Sequence, residues 1–443
     1  MNAQRIRNLG PNWFASVMGT GIVANAAALL PVRVAGLREF AVGVWLSAAA
    51  MLVFLLLATA AQWLRYPIHA RRHHHDPAMA PFYGAPPMAL LTVGAGAVLV
   101  GRDIVGLGPA VAVDEVLWTL GSITGLLGAI AIPYLMFTEH DLEWKDASGT
   151  WLMPVVPPMV SAATGAALIA HLPAGQPRLA LLLAGYAMFG ISLFASLFTI
   201  AVLWGRLLFH APGPSRLVPT LWIVLGPLGQ SVTAAGLLGV AGADAIHSPY
   251  AGALRAMGVV YGVPVWGFAM LWLAVAAAIT RRAAREHLPF SLTWWSFTFP
   301  VGTVVTGTSV LAASTHASFL KYASVALYAL LVTAWLTAAT RTARGGSTAG
   351  CSYQGRRPPL PTDRVKGASP LNTGVWEYPI RYPISALGDS VEKTPTPTGF
   401  SQSRDPDSNR QRQLREAVRG SARGPAPACD ASAGPGAGQP RTR

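Results

Sequence analysis

The chain has 443 residues, of which 52% are hydrophobic and only 12% are charged, and its formal net charge is +14. Soluble globular domains carry about 25% charged residues, so this composition excludes an ordinary soluble domain. A net positive charge often indicates a nucleic-acid partner. Positive charge that flanks membrane spans explains the balance better, so no nucleic-acid partner is predicted.

Ten apolar stretches in the first 340 residues predict ten transmembrane helices, because about 20 apolar residues cross the hydrocarbon core as a helix. None of them carries Asp, Glu, Lys or Arg in its middle. The predicted spans are 13–30, 40–64, 82–101, 116–137, 152–171, 179–203, 217–241, 255–280, 292–313 and 318–340. The predicted fold class is therefore an all-α integral membrane protein.

The membrane domain is predicted to occupy residues 1–343, followed by an Arg/Pro/Gly-rich tail over 344–443. The tail lacks apolar periodicity and cannot bury enough surface to offset its ordering entropy, which predicts disorder. A natural disordered tail and a frameshift near Gly345 are both compatible with this composition. Both cysteines, Cys351 and Cys429, lie in the tail, so no disulfide framework or four-cysteine metal site is possible in the membrane domain.

The distribution of Arg and Lys predicts the topology. They are more frequent in the loops on the side of the N-terminus than in the opposite loops, which by the positive-inside rule predicts a cytoplasmic N-terminus. Ten spans place both ends of the domain on one side. The prediction is a multi-pass plasma-membrane protein with both termini in the cytoplasm.

Two kinds of span alternate along the chain. The odd-numbered spans are rich in Gly, Pro, Ser and Thr, whereas the even-numbered ones are dominated by Leu, Ala, Val and Phe, with Pro264 in span 8 as an exception. Small residues let helices approach closely, and Pro at membrane depth is tolerated beside other helices or water. The alternation predicts five helical hairpins, with the odd helices inside and enclosing a narrow pore. For any single helix the alternative is that Gly and Pro are simply commoner in membrane helices.

Three motifs in three spans resemble the tellurite-resistance/dicarboxylate transporter family. The first is Pro-Asn-Trp-Phe at 11–14, which runs into Met-Gly-Thr-Gly-Ile-Val at 18–23. The others are Gly-Pro-Leu-Gly-Gln-Ser at 226–231 and Trp-Trp-Ser-Phe-Thr-Phe-Pro-Val-Gly-Thr at 294–303. The resemblance covers residues 11–340. The family includes yeast malate permeases, sulfite efflux pumps, tellurite-resistance proteins of the bacterial inner membrane and plant slow anion channels.

The resemblance implies a ring of ten helices in which odd helices line a central pore that a phenylalanine of the ninth helix plugs. Phe299 is the candidate for this gate and Phe297 is the second choice, while the alternative for Phe299 is a packing aromatic between helices. The resemblance also implies a homotrimer with one pore per protomer, and no enzyme activity. The residues expected to line the pore are Phe14, Met18, Gly19, Thr20, Gly21, Pro87, Pro158, Gly226, Pro227, Gly229, Gln230, Ser231, Pro300 and Thr303.

A pore without charge at mid-depth can still select anions. Basic groups at its mouth focus the field, and helix N-termini beside Pro kinks present positive dipole ends. Hydroxyl groups are expected to replace part of the anion's hydration shell, and the candidates are Thr20, Ser161, Ser231, Thr303 and Thr306. The predicted basic vestibule consists of Arg71, Arg72, Arg281, Arg282 and Arg285.

The predicted function is transport of small anions, either a C4-dicarboxylate such as malate or sulfite- and tellurite-type oxyanions, through the Phe-gated pore. The alternative is a proton-coupled dicarboxylate carrier. Such carriers generally use intramembrane Asp, Glu or His, which the span centres here lack.

A histidine cluster in the second loop suggests a metal site. Its members are His69, His73, His74, His75 and Asp76. Three adjacent histidines rarely converge on one tetrahedral ion, so no metal is predicted. Haem is not predicted either, since it requires axial His within facing helices, and no span has a central His. We therefore predict no cofactor; the expected partners are a small anion and the lipid bilayer.

Overall fold

A computed structural model of the chain describes residues 3–210, 212–286 and 288–348. Within these ranges every regular element is a helix, and no β-strand is formed. The all-α prediction is therefore confirmed. The predicted disorder of the tail falls almost entirely on residues 349–443, which lie outside the described residues.

Ten α-helices follow the ten predicted spans in order. They are α1 Phe14–Leu29, α2 Leu37–Arg65, α3 Ala85–Gly96, α4 Leu107–Thr138, α5 Pro157–Gly165, α6 Gln176–Phe209, α7 Leu225–Ala241, α8 Tyr250–Arg285, α9 Phe299–Thr315 and α10 Ser318–Thr348. Short helices at Ala3–Arg7, Pro67–Arg72 and Arg102–Val105 lie outside this series.

Two of the ten helices, α1 and α5, belong to no described stretch that is long and apolar enough to cross a bilayer. Eight helical stretches of the described chain are long and apolar enough to do so, and these include all of the series except α1 and α5. The short α5 follows from Pro154, Pro157 and Pro158, because proline removes a backbone donor and clashes with the preceding turn. The predicted span 152–171 is consequently divided into short pieces, and the count of ten complete spans stays a prediction.

The odd-numbered helices form a closed ring. Helix α1 packs against α3, α3 against α5, α5 against α7, α7 against α9, and α9 returns to α1. Each even helix covers the groove between two neighbours in this ring: α2 contacts α1 and α3, and the pattern repeats until α10 contacts α9 and α1. The predicted arrangement of five hairpins, with odd helices inside, is confirmed.

Burial separates the two sets of helices. The apolar windows of the stretches containing α3, α7 and α9 are 72–89% buried, whereas those of the even helices are 22–33% buried. The even helices expose large apolar side chains, among them Leu57, Phe137 and Phe198. Lipid tails are as apolar as these side chains, so such surfaces suit contact with the bilayer.

Glycine permits the closest contact within the ring. A Cβ on Gly229 of α7 would overlap the backbone nitrogen of Val304 and lie 2.5 Å from the carbonyl carbon of Thr303, both in α9. A Cβ on Gly302 would likewise lie 2.5 Å from Cγ1 of Ile22 in α1. Small residues therefore set the backbone separation of α7, α9 and α1, as they do in other membrane helix pairs.

Helix α4 begins at Leu107 rather than at residue 116, where the predicted span starts. The longer helix takes in Asp114, which is fully buried. A Cβ on Gly94 of α3 would lie only 2.6 Å from its Oδ1, and neither carboxylate oxygen has a hydrogen-bond partner in the described part of the chain. One acidic side chain is therefore enclosed near an end of α4, in a place that the hydropathy pattern left outside the membrane.

Candidate functional site

A cavity of about 20 Å³ lies at the centre of the ring, at the end where the inner helices begin. Every inner segment contributes to its wall. Met18 comes from α1, Met88 from α3, Val156 from the residue before α5, Gly226 from α7 and Phe299 from α9. The cavity is therefore the meeting point of all five hairpins.

Each inner helix is preceded by a 3-10 segment. These segments are Pro11–Trp13, Ala80–Gly84, Gly149–Leu152, Ser215–Val224 and Leu292–Phe297. Proline stands in the first turn of four of the inner helices, at Pro87, Pro157, Pro227 and Pro300. Proline suits that position because its missing N–H would have no partner within the helix. The repeated change from 3-10 to α-helix therefore brings five helix starts to one level.

The electrostatics of this level favour an anion. A helix N-terminus carries a partial positive charge, and five helix starts surround the cavity. The first N–H groups of three of them, those of Phe14, Ala85 and Leu225, donate to carbonyls of the preceding 3-10 segments. Its volume of about 20 Å³ accommodates roughly one water molecule. A solute larger than water must therefore widen the cavity in order to enter it.

The two candidate gate residues occupy different surroundings. Phe299 is 2% exposed and lines the cavity beside Pro300. Phe297 packs edge-on against Trp222 and Trp294, with ring centroids 5.1 and 5.7 Å apart, and is not part of the cavity wall. This geometry favours Phe299 over Phe297 as the gate.

The segment before Phe299 is tied to the last helix. Trp295 Nε1 donates a hydrogen bond to Thr342 Oγ1 of α10 at 3.2 Å, and its carbonyl accepts one from Thr298 Oγ1 at 2.7 Å. The guanidinium of Arg341 lies 4.6 Å from the ring centroid of Trp294. The end of α10 therefore positions the turn that leads into Phe299.

Of the other residues predicted to line the pore, four belong to the cavity wall: Met18, Gly226, Pro227 and Pro300. Several glycines of the prediction face neighbouring elements instead. A Cβ on Gly19 would overlap Thr298 Oγ1, one on Gly21 would lie 2.8 Å from Thr92 Cγ2, and Gly229 contacts α9. Phe14, Pro87 and Pro158 are buried, but they are not part of the cavity wall.

The predicted hydroxyl ligands are engaged in their own helices. Thr20 Oγ1 donates to the Ser16 carbonyl at 2.8 Å and accepts from Trp335 Nε1 of α10 at 3.1 Å, which places it toward an outer helix. The other four likewise donate to carbonyls of their own helix: Ser161 to Pro157, Ser231 to Leu228, Thr303 to Pro300, and Thr306 to Thr303. These protons are not available to an anion unless the side chains rotate.

Comparison with known proteins identifies the family. The sequence profile of SLAC1, the voltage-dependent anion channel family, matches residues 8–343. The chain belongs to this family. The SLAC1 family includes the slow-type anion channels and transporters whose motifs the chain resembles, so that resemblance is confirmed. Because the family consists of channels and transporters, this SLAC1-family chain is a membrane transport protein and not an enzyme.

Named relatives extend the comparison. The SLAC1-family chain is 28% identical over 331 residues to an uncharacterized transporter of Methanocaldococcus jannaschii, covering 74% of this chain and 91% of that protein. It is 27% identical over 310 residues to a sulfite efflux pump of Arthroderma otae, with coverages of 69% and 82%. A Schizosaccharomyces pombe protein, provisionally described as a malic acid transport protein, is 21% identical over 319 residues, with coverages of 67% and 70%.

The predicted basic vestibule of this SLAC1-family chain lies on two separate elements. Arg71 and Arg72 end the short helix Pro67–Arg72, and the remaining members, Arg281, Arg282 and Arg285, end α8. All five are exposed. Since each even helix ends where the next inner segment begins, both groups lie at the end of the ring that holds the cavity. Positive charge there raises the local concentration of anions at the mouth.

The side chains of the histidine cluster contact neighbouring residues of the protein. His75 Nδ1 lies 3.1 Å from Glu139 Oε2, and His74 stacks on Tyr83 with ring centroids 4.2 Å apart. Burial, together with neighbouring histidines, lowers the pKa of His74, and burial also lowers the pKa of His73. Within the described ranges no group of three or more His, Cys, Asp or Glu side chains is placed to hold a metal.

Sequence reasoning missed part of the cavity wall. Phe82, Met88, Met153 and Ile223 line it, although none belongs to the family-like motifs. Three of the four lie in or next to a 3-10 segment, and Met88 directly follows Pro86 and Pro87. Their common signal is therefore nearness to the change from 3-10 to α-helix rather than residue type.

Proposed function

We propose that the chain conducts small anions across the plasma membrane through the centre of the five-helix ring, with Phe299 as the gate. The substrates proposed are sulfite-type oxyanions or a C4-dicarboxylate such as malate, which the names of the fungal relatives suggest. Both termini are proposed to be cytoplasmic, and the assembly is proposed to be a homotrimer with a pore in each protomer.

One observation carries this proposal: five inner helix starts surround a single cavity that Phe299 lines. A ring of positive dipole ends attracts anions without the cost of a buried charge. An aromatic side chain at the same level can block the pore sterically and by dewetting.

The path of the anion follows from this arrangement. The exposed arginines at the end of α8 and of the helix Pro67–Arg72 concentrate anions at one mouth. At the cavity the anion exchanges part of its hydration shell for the helix starts, and the phenyl ring of Phe299 must swing aside. Passage then continues along the axis of the ring, past the small residues of the inner helices.

The test is Phe299→Ala in proteoliposomes. We expect anion flux to rise about tenfold or more, because the plug is removed while the ring remains closed. A series of chloride, nitrate, sulfite, malate and succinate ranks the substrates. The matched control is Phe189→Ala, since Phe189 is also buried but packs against Tyr261, with ring centroids 5.4 Å apart, and does not line the cavity. Unchanged flux in a folded, inserted Phe299→Ala variant would rule out Phe299 as the gate.

The alternative function, a proton-coupled dicarboxylate carrier, predicts a different response to the proton gradient. Malate uptake into wild-type proteoliposomes is measured with an imposed gradient and again after an ionophore collapses it. We expect the same flux in both conditions at a clamped membrane potential, because the described span centres hold no carboxylate or histidine. A large loss of uptake on collapse would support the carrier instead.

A further inference from the structure

Gln230 differs from the other buried polar side chains of α7. It is 4% exposed, and its Oε1 is fully enclosed without a hydrogen-bond partner. Its side chain forms no hydrogen bond with the described part of the chain. A protein is destabilised by a buried amide without partners relative to an apolar side chain of the same size. A molecule from outside the chain, a water or a ligand, must therefore supply the hydrogen bonds of Gln230.

The position of Gln230 relates it to the cavity. Gly226 lines the cavity, and a Cβ built on it would meet no atom within 4 Å, so this face of α7 borders open space. Gln230 follows four residues later, and residues at that spacing share one face of a helix. Gln230 therefore lies one helical turn beyond the level of Phe299, on the side away from the 3-10 segments.

Neighbouring polar groups already have partners. Ser231 Oγ donates to the Leu228 carbonyl at 2.9 Å, and the hydroxyls of Thr233 and Thr306 are paired at 2.8 Å. Asn25 of α1 donates from Nδ2 to the Thr92 carbonyl at 3.0 Å, although its Oδ1, like Gln230 Oε1, is enclosed without a partner. Gln230, in contrast, retains both of its N–H donors and its acceptor oxygen.

We propose that the amide of Gln230 coordinates the permeating anion just beyond Phe299 and favours oxyanions over chloride; this inference rests on the proposed function. The two amide N–H groups donate to the directional lone pairs of a carboxylate or sulfite oxygen. The amide oxygen accepts from a hydroxyl or a water molecule that the anion carries. Apolar surroundings strengthen these hydrogen bonds relative to water, and chloride, a sphere without directional lone pairs, gains less from them.

The test uses the full chain in proteoliposomes, with sulfite flux and chloride flux measured on the same preparation. Phe299→Ala is compared with the double variants Phe299→Ala/Gln230→Leu and Phe299→Ala/Gln62→Leu. We expect Gln230→Leu to lower the ratio of sulfite to chloride flux about fivefold or more. Gln62 is the matched control, because it is also buried but donates to the Leu9 carbonyl from α2; its variant is expected to keep the ratio within about twofold.

Each outcome decides the inference. A ratio in Phe299→Ala/Gln230→Leu equal to that of Phe299→Ala, with both ions conducted, overturns it. If Phe299→Ala and the wild-type chain conduct none of sulfite, malate and chloride, the proposed function itself fails, and no flux ratio can be measured. If malate is conducted but sulfite is not, the ratio of malate to chloride flux decides the inference. Should the leucine variant fail to reach the membrane, Gln230→Met, which keeps an unbranched side chain of similar length, replaces it, and the same ratio decides.

Discussion

At the residue scale, the loop that carries His74 is expected to respond to pH. The histidine is half-buried between Tyr83 and its histidine neighbours, and its pKa lies below the ordinary value of about 6.5. A depressed pKa means that the unfolded loop binds the proton more readily than the folded one. Stability is therefore fully present above the ordinary value and is lost as the pH falls through the folded value.

The variant His74→Phe tests this expectation. Phenylalanine keeps the stacking on Tyr83 but cannot be protonated, so its Tm should fall less than that of the wild type when the pH drops from 8 to about 5.5. His247→Phe, an exposed substitution in the loop before α8, serves as the control and should follow the wild type. Parallel Tm curves for wild type and His74→Phe would exclude His74 as the titrating group.

The gate candidate was predictable from the sequence only through the family-like motif around Phe299. Its neighbours in the wall were not, because Met88 and Ile223 belong to no motif and their position follows from the 3-10 turns. The orientation of Thr20 could not be predicted either, because its hydrogen bond with Trp335 joins residues far apart in the sequence. Hydropathy records which residues are apolar, but not which way a small polar side chain on a uniformly buried helix points.

At the element scale, the contact between α7 and α9 depends on Gly229. Its variant Gly229→Ala places a methyl group against the backbone of Thr303 and Val304, which cannot rotate away. We expect a loss of about 1–3 kcal/mol of stability, as in overpacked cores, measured as a lower Tm in detergent.

Gly267→Ala on α8 is the control for this substitution. A Cβ there would meet nothing within 4 Å, and alanine has the higher helix propensity, so no loss is expected. Equal Tm values for the two variants would contradict the close approach of α7 and α9.

The alternation of elements was predictable because the composition of a helix depends on whether its surroundings are protein or lipid. The short length of α5, in contrast, could not be predicted from the sequence. Hydropathy over 152–171 is continuous, but Pro154, Pro157 and Pro158 interrupt the backbone, and only three-dimensional packing shows that short pieces fill this place in the ring. The early start of α4 was missed because Asp114 and Glu115 lowered the hydropathy at its first turns.

At the scale of the whole molecule, the proposed orientation is testable with the native cysteines. Both of them, Cys351 and Cys429, follow the last helix, so they report on the side of the C-terminus. A membrane-impermeant maleimide should leave intact cells unlabelled and should label the protein after permeabilisation, because the positive-inside rule places the tail in the cytoplasm.

The opposite side has its own reporter. In a chain carrying Cys351→Ser and Cys429→Ser, the substitution Val34→Cys introduces one thiol in the segment between α1 and α2, where Val34 is 60% exposed. This thiol should be labelled from outside in intact cells. The reverse pattern, with labelling of the native cysteines in intact cells, would invert the topology.

The closed ring contains five hairpins, and five is an odd number. Carriers that work by alternating access commonly rock one half of the molecule against another, and the two halves are internal repeats of equal size. A ring of five equivalent units has no such division, and its closed neighbour-to-neighbour packing resists the sliding of one part past another. In the proposed function, opening is therefore a local event, the rotation of Phe299 into space bordered by Gly226. We expect such a ring to give fast flux rather than stoichiometric coupling.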